Sequence, residues 1–241
     1  MPRPDHAAMG EWANEAIRQT KGASAALMCN IVTAKGRSQE PAEITEVAAR
    51  IFLQAMDDLC GSDLHVRYST KGKGMPARLK PIFQQTTSEP KEWLSMDFSA
   101  IEEPGADRPW KTRVVLECEP KPRSSRPTST KFPFDDLNKL CSIDAEYGLY
   151  ICRINSGNEN IDGRMRPKFE RYSNALKNAL FLMAQRGVLA AAWCFVTAPR
   201  LPWVMYTYET IKDDKTGSVT VEHARWCAES DEGDFVQQCS S

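Results

Sequence analysis

The sequence predicts an α/β fold, a mixed central sheet flanked by helices, in a single domain. Segments with helical periodicity alternate along the chain with short apolar runs that read as strands. A length of 241 residues, 41% of them hydrophobic, is enough to bury a substantial core. No stretch has the composition of a linker, so residues 1–241 are read as one unit: a core over about 41–211, an N-terminal helical extension over about 8–34 and an acidic C-terminal tail over about 212–241.

Residues 8–34 mix Ala-rich, helix-compatible text with a short apolar stretch at 25–32, predicting a helix and a strand candidate. Ile44, Val47, Ala48, Ile51, Phe52, Ala55, Met56 and Leu59 recur at spacings of three and four, which predicts an amphipathic helix with Pro41 in its first turn and Gly61 as its cap. His65 to Tyr68 alternates as a strand does, and 71–74 is a Gly-Lys turn. Residues 93–101 and 113–119 read as two strands around a turn-rich connection. Residues 120–133 hold four prolines and four basic residues with no acid, and are read as a loop unfit for a strand or helix interior. Helical spacing follows over 134–143, a buried strand over 147–154, and a long helix over 166–186 closed by Gly187. Two more strands, 189–197 and 203–211, carry Trp193, Phe195, Trp203, Tyr206 and Tyr208 in an alternation expected of core packing.

Charge and motifs exclude several function classes. The net charge is -1, so binding to a polyelectrolyte must rest on local patches. The longest apolar run, around 187–196, is too short for a membrane span, and the N-terminus lacks a signal-peptide core; no membrane and a cytoplasmic location are expected. Eight cysteines form no CxxC pair, and Cys118, Cys152 and Cys194 lie in apolar strand text, as expected of reduced core thiols. Hydrolase-elbow, phosphate-loop and dinucleotide motifs are absent from the sequence.

The chemistry-bearing pattern is acidic. Asp97 lies in one expected strand, and Glu117 and Glu119 lie at the end of the next. Residues two apart on a strand share a face, so Glu117 and Glu119 converge there while Cys118 points away, and the neighbouring strand can add Asp97. Clustered carboxylates repel unless a cation neutralises them, and such oxygen ligands suit Mg²⁺ or Mn²⁺. The competing reading puts both glutamates on the solvent face of an edge strand.

At these residues the sequence resembles the PD-(D/E)XK, or restriction-endonuclease-like, nuclease superfamily, whose core carries an Asp on one strand and Glu-x-Lys or Glu-x-Glu on the next. Asp97 matches the first carboxylate, and Val114-Val-Leu-Glu-Cys-Glu119 matches the strand in its Glu-x-Glu form. The resemblance continues through the helix at 135–140 and the strand at 148–154. It implies a restriction-endonuclease-like core and a Mg²⁺- or Mn²⁺-dependent nuclease that hydrolyses DNA phosphodiesters. Asp97, Glu117 and Glu119 would be the metal-binding and catalytic acids. A second register, Glu119-Pro-Lys121, would make Glu119 the ligand and Lys121 the water-orienting lysine; Lys139 on the next helix is the other source of that charge. Glu43 or Glu46 on the helix at 41–60 matches the acid that often faces the site in this superfamily.

Five basic residues and no acid occur over 67–80. With the loop at 120–133 they offer Lys71, Lys73, Arg78, Arg123 and Arg126 as a phosphate-binding rim. Trp93 and Trp110 flank the expected strand pair and could stack on a base. The alternative to a nuclease is a non-catalytic module of the same fold, serving binding or assembly in a bacterial, phage or plasmid system, with a homodimer or another protein as partner.

Overall fold

The computed structural model describes residues 2–20, 40–61, 64–69, 75–84, 86–91, 93–104, 109–123, 134–155, 166–197, 204–213, 215–228 and 234–238. Its helices are α1 (His6–Gln19), α2 (Glu40–Cys60), α3 (Met75–Leu79), α4 (Phe134–Cys141) and α5 (Arg166–Gln185). Local chemistry sets their ends. The Asp5 side chain caps α1 by accepting from the Ala8 N–H at 2.9 Å, which satisfies one of the donors a helix start leaves unpaired. Gly61 and Gly187 end α2 and α5 at φ 84° and 86°, a conformation that favours glycine.

The strands are β1 (His65–Tyr68), β2 (Ser88–Glu89), β3 (Phe98–Glu102), β4 (Lys111–Arg123), β5 (Tyr147–Asn155), β6 (Leu189–Thr197), β7 (Val204–Lys212), β8 (Val219–Ala228) and β9 (Phe235–Gln238). They form one nine-stranded sheet in the order β2-β1-β3-β4-β5-β6-β7-β8-β9. β1 and β3, and β3 and β4, pair antiparallel, whereas β4, β5 and β6 run parallel. Each parallel step needs a crossover, and α4 and α5 supply them. β1 and β2 also pair parallel, and the pairs from β6 to β9 are antiparallel.

Strand alternation divides the core between the two faces of the sheet. Val114, Leu116 and Cys118 of β4 pack with α1 and α2, joined by Trp193, Phe195 and Trp226. Val115 of the same strand belongs to the other core, with Leu137 and Leu140 of α4 and Leu176, Leu180 and Met183 of α5. The α/β class and the mixed sheet between helices are therefore as expected. No helix among the described residues is long and apolar enough to cross a membrane.

Four expectations need correction. The acidic tail is not a tail: β8 and β9 lie within it and extend the sheet, with Trp226 and Phe235 buried. The N-terminal helix is no appendage either, since Met9, Trp12, Ala13, Ala16 and Ile17 are core residues; the strand candidate at 25–32 lies outside the described residues. Residues 93–96 form a turn rather than a strand, with Leu94 and Ser95 at φ 54° and 58° and the Met96 N–H donating to the Trp93 carbonyl at 3.0 Å. Finally, β4 runs on through Pro120 to Arg123, although its pairing with β5 shifts register between Glu119 and Arg123. A strand tolerates proline where the ladder is already broken, because no donor is required there.

Candidate active site

The left-handed turn at Leu94 and Ser95 reverses the chain so that Asp97 stands immediately before β3. Its carbonyl accepts from the Ser69 N–H at 2.7 Å, tying it to the end of β1. Its Oδ2 accepts from the Cys118 N–H at 3.0 Å. The carboxylate is thus held against β4 just where the ladder with β3, which ends at Phe98 and Leu116, stops using backbone donors. Alternation then turns Glu117 to the α4 face, where it is 3% exposed.

Asp97 and Glu117 meet there, close enough that each shifts the ionisation of the other. Lys139, from the last turn of α4, ion-pairs with Glu117 Oε1, and Asp136, one turn earlier on α4, adds a further negative field at both acids. Burial is the largest influence on either carboxyl and raises both. Glu117 is pushed up to about 8 by burial and then by the Asp97 charge, against the opposing pull of Lys139. Asp97 is raised by burial in spite of the Cys118 N–H and Lys139, which favour its charged form. Glu117, pushed up to about 8, holds its proton at neutral pH, as expected where two neighbouring acids share a single counter-charge.

A divalent cation fits this donor set. Its donors are carboxylate oxygens, the preference of Mg²⁺ and Mn²⁺, and one is a buried acid that a cation would ionise. The structure brings together Asp97, Glu117 and Lys139 from the expected residues and adds Asp136, which sequence reasoning passed over. Its spacing of three from Lys139 puts both on one helical face, a signal that was available.

The other candidates fall elsewhere. Glu119 is half-buried and its charge is felt at the Cys118 thiol. It does not close a tight triad with Asp97 and Glu117: the set of three donors within 4.8 Å of one another, among the described residues, is His6, Glu209 and Glu222. Glu43 and Glu46 do not face the site. They lie on α2, on the opposite side of the sheet, and pair with Arg78 at 3.4 and 3.6 Å. Arg78 is therefore neutralised by the acids expected to support the site, although its side chain is 41% exposed. Lys71, Lys73 and Arg126, and the side chains of Lys121 and Arg123, lie outside the described residues. Trp93 and Trp110 pack together at 6.0 Å, but Trp110 precedes β4 and is seven residues, or about 23 Å of strand, from Glu117.

Cys118, Cys152 and Cys194 are buried free thiols, as expected; burial raises the pKa of Cys118, and a hydrogen bond with Cys152 followed by burial raises that of Cys194. No family model and no curated protein matches the chain.

Proposed function

We propose that the chain is a Mg²⁺- or Mn²⁺-dependent nuclease of restriction-endonuclease-like fold, acting on DNA at the site formed by Asp97, Glu117 and Lys139. The observation that carries this reading is the buried pair Asp97 and Glu117, joined across the start of β3 and the middle of β4, with Lys139 reaching into it from the crossover helix. The order of elements supports it: a helix, three antiparallel strands, a helix, then a strand parallel to the third. In that arrangement Asp97 immediately precedes one strand and Glu117 and Glu119 lie on the next.

In this reading Asp97 and Glu117 hold the cation. Its chemistry would be to polarise a phosphodiester and acidify water. Asp97 is positioned by the Cys118 N–H, and Glu117 would be ionised by a bound cation. Lys139 balances the charge that remains and lies beside the acids, in reach of an attacking water or a phosphate oxygen. Glu119 follows two residues on along the same strand face.

The test is a cleavage assay on plasmid and single-stranded DNA with Mg²⁺, Mn²⁺ or chelator. Wild-type protein is expected to cleave with either metal and not with chelator. Asp97→Ala and Glu117→Ala are each expected to lose at least about 100-fold in rate. Metal-independent cleavage, or full activity in both variants, would refute the assignment; no cleavage by the wild type on either substrate would favour the non-catalytic module.

A further inference from the structure

A second cluster lies on the opposite face of the sheet, three strand spacings or about 14 Å along it from β4. Glu209 of β7 and Glu222 of β8 are direct cross-strand partners, and their carboxylates meet His6 from the first turn of α1. Like charges placed directly opposite across two strands repel, and here one of them is buried: Glu209 is 5% exposed. Its Oε2 has no hydrogen-bond partner, and neither has His6 Nε2. A buried acceptor left unpaired is costly, so the arrangement calls for a cation.

The imidazole is already aimed. His6 Nδ1 and Thr207 Oγ1 are 2.9 Å apart, and the same hydroxyl accepts from the Trp226 indole N–H at 2.9 Å. That anchoring leaves Nε2 facing Glu209, with Nε2 and Oε1 3.6 Å apart. Ligand bonds of about 2.1 Å in a tetrahedron place donor atoms about 3.4 Å apart, so this pair needs almost no movement to share an ion. A ring fixed through its second nitrogen is the usual support of a metal-binding histidine. Arg3 and Asp5 are the nearby charges that act on Glu209 from the chain before α1, and Asp5 is engaged as the cap of α1.

We propose that His6, Glu209 and Glu222 form a binding site for a divalent transition metal of the Zn²⁺ class, separate from the Asp97 and Glu117 site. One nitrogen and two carboxylate oxygens suit Zn²⁺ better than Mg²⁺. Glu222 is exposed, so the fourth position opens to solvent, and the ion joins the start of α1 to the β7 and β8 hairpin.

The experiment uses the full chain stripped with chelator and then titrated with Zn²⁺, followed by calorimetry and thermal melting, with Co²⁺ as a spectroscopic probe. One Zn²⁺ per chain is expected, raising Tm by about 5 °C or more at a hundredfold excess over Kd. His6→Ala and Glu209→Gln are expected to weaken binding by more than the roughly 10–100-fold typical of losing a supporting hydrogen bond. Glu222→Gln changes an exposed residue and leaves the fold intact, and is expected to weaken binding as well. Glu117→Gln should leave this binding unchanged. The proposal is overturned if no Zn²⁺ binds or if His6→Ala, Glu209→Gln and Glu222→Gln all bind it as tightly as the wild type. A Co²⁺ spectrum dominated by thiolate charge transfer would overturn it too, because the metal would then sit on cysteine. An Arg3→Ala variant that binds no more tightly than wild type would show that the guanidinium does not occupy the place of the ion; binding that appears only in that variant would overturn the site as the native state.

Discussion

Glu117 is the residue whose behaviour says most about the site. Its carboxyl is pushed up to about 8 by burial and by Asp97, from an ordinary value of 4.5. The folded protein therefore holds a proton that the unfolded chain releases between about 4.5 and 8. Stability from this group is fully present below 4.5 and is lost as pH rises through 8. Glu117→Gln removes the titration, so its stability is expected to change less across pH 5 to 9 and to exceed that of the metal-free wild type by roughly 2–4 kcal/mol at pH 9. Urea unfolding at several pH values, with chelator present, measures this. A stability profile identical to wild type would show that Glu117 ionises freely. The signal that found the residue was the strand alternation of Glu117 and Glu119; the same alternation could not show that Glu119 stays out of a tight triad, because that depends on where the Asp97 turn delivers its partner.

At the scale of the elements, close packing decides what is tolerated. A Cβ on Gly10 of α1 would fall inside the buried Trp226 ring, whereas one on Gly148 of β5 would meet the flexible end of Met183. Gly10→Ala is expected to cost about 1–3 kcal/mol through overpacking, and Gly148→Ala less, because a methionine terminus can shift and an indole cannot. Comparing the two melting midpoints checks it. Elements with a strong local signature were legible: the spacing over 44–59, the glycines at 61 and 187, and the apolar runs of β5 and β6. Trp93, Leu94, Met96 and Phe98 look like strand text around Asp97, yet Leu94 and Ser95 take the left-handed conformation that such residues rarely adopt. β8 has apolar residues enough for a strand, but only Ala224 and Trp226 of it are buried, and the five acids over 222–234 make the segment read as a tail.

Across the whole molecule the sheet separates two clusters of ionisable side chains. The Asp97 and Glu117 pair faces α4, where the parallel crossover begins, and the His6, Glu209 and Glu222 group faces α1, where the antiparallel strands end the sheet. Because β8 carries Trp226 into the core under α1, removal of residues 213–241 is expected to abolish cooperative thermal unfolding; a melt unchanged from wild type would mean that the segment is a tail after all. The central claim is that Asp97 and Glu117 hold a divalent cation, and Mn²⁺ calorimetry on the metal-free full chain at pH 6 and pH 8.5 tests it most directly. Binding is expected to be tighter at pH 8.5, to release a proton at pH 6, and to vanish at this site in Asp97→Asn and Glu117→Gln while persisting in His6→Ala. Mn²⁺ affinity that is independent of pH and of both carboxylates would contradict the account.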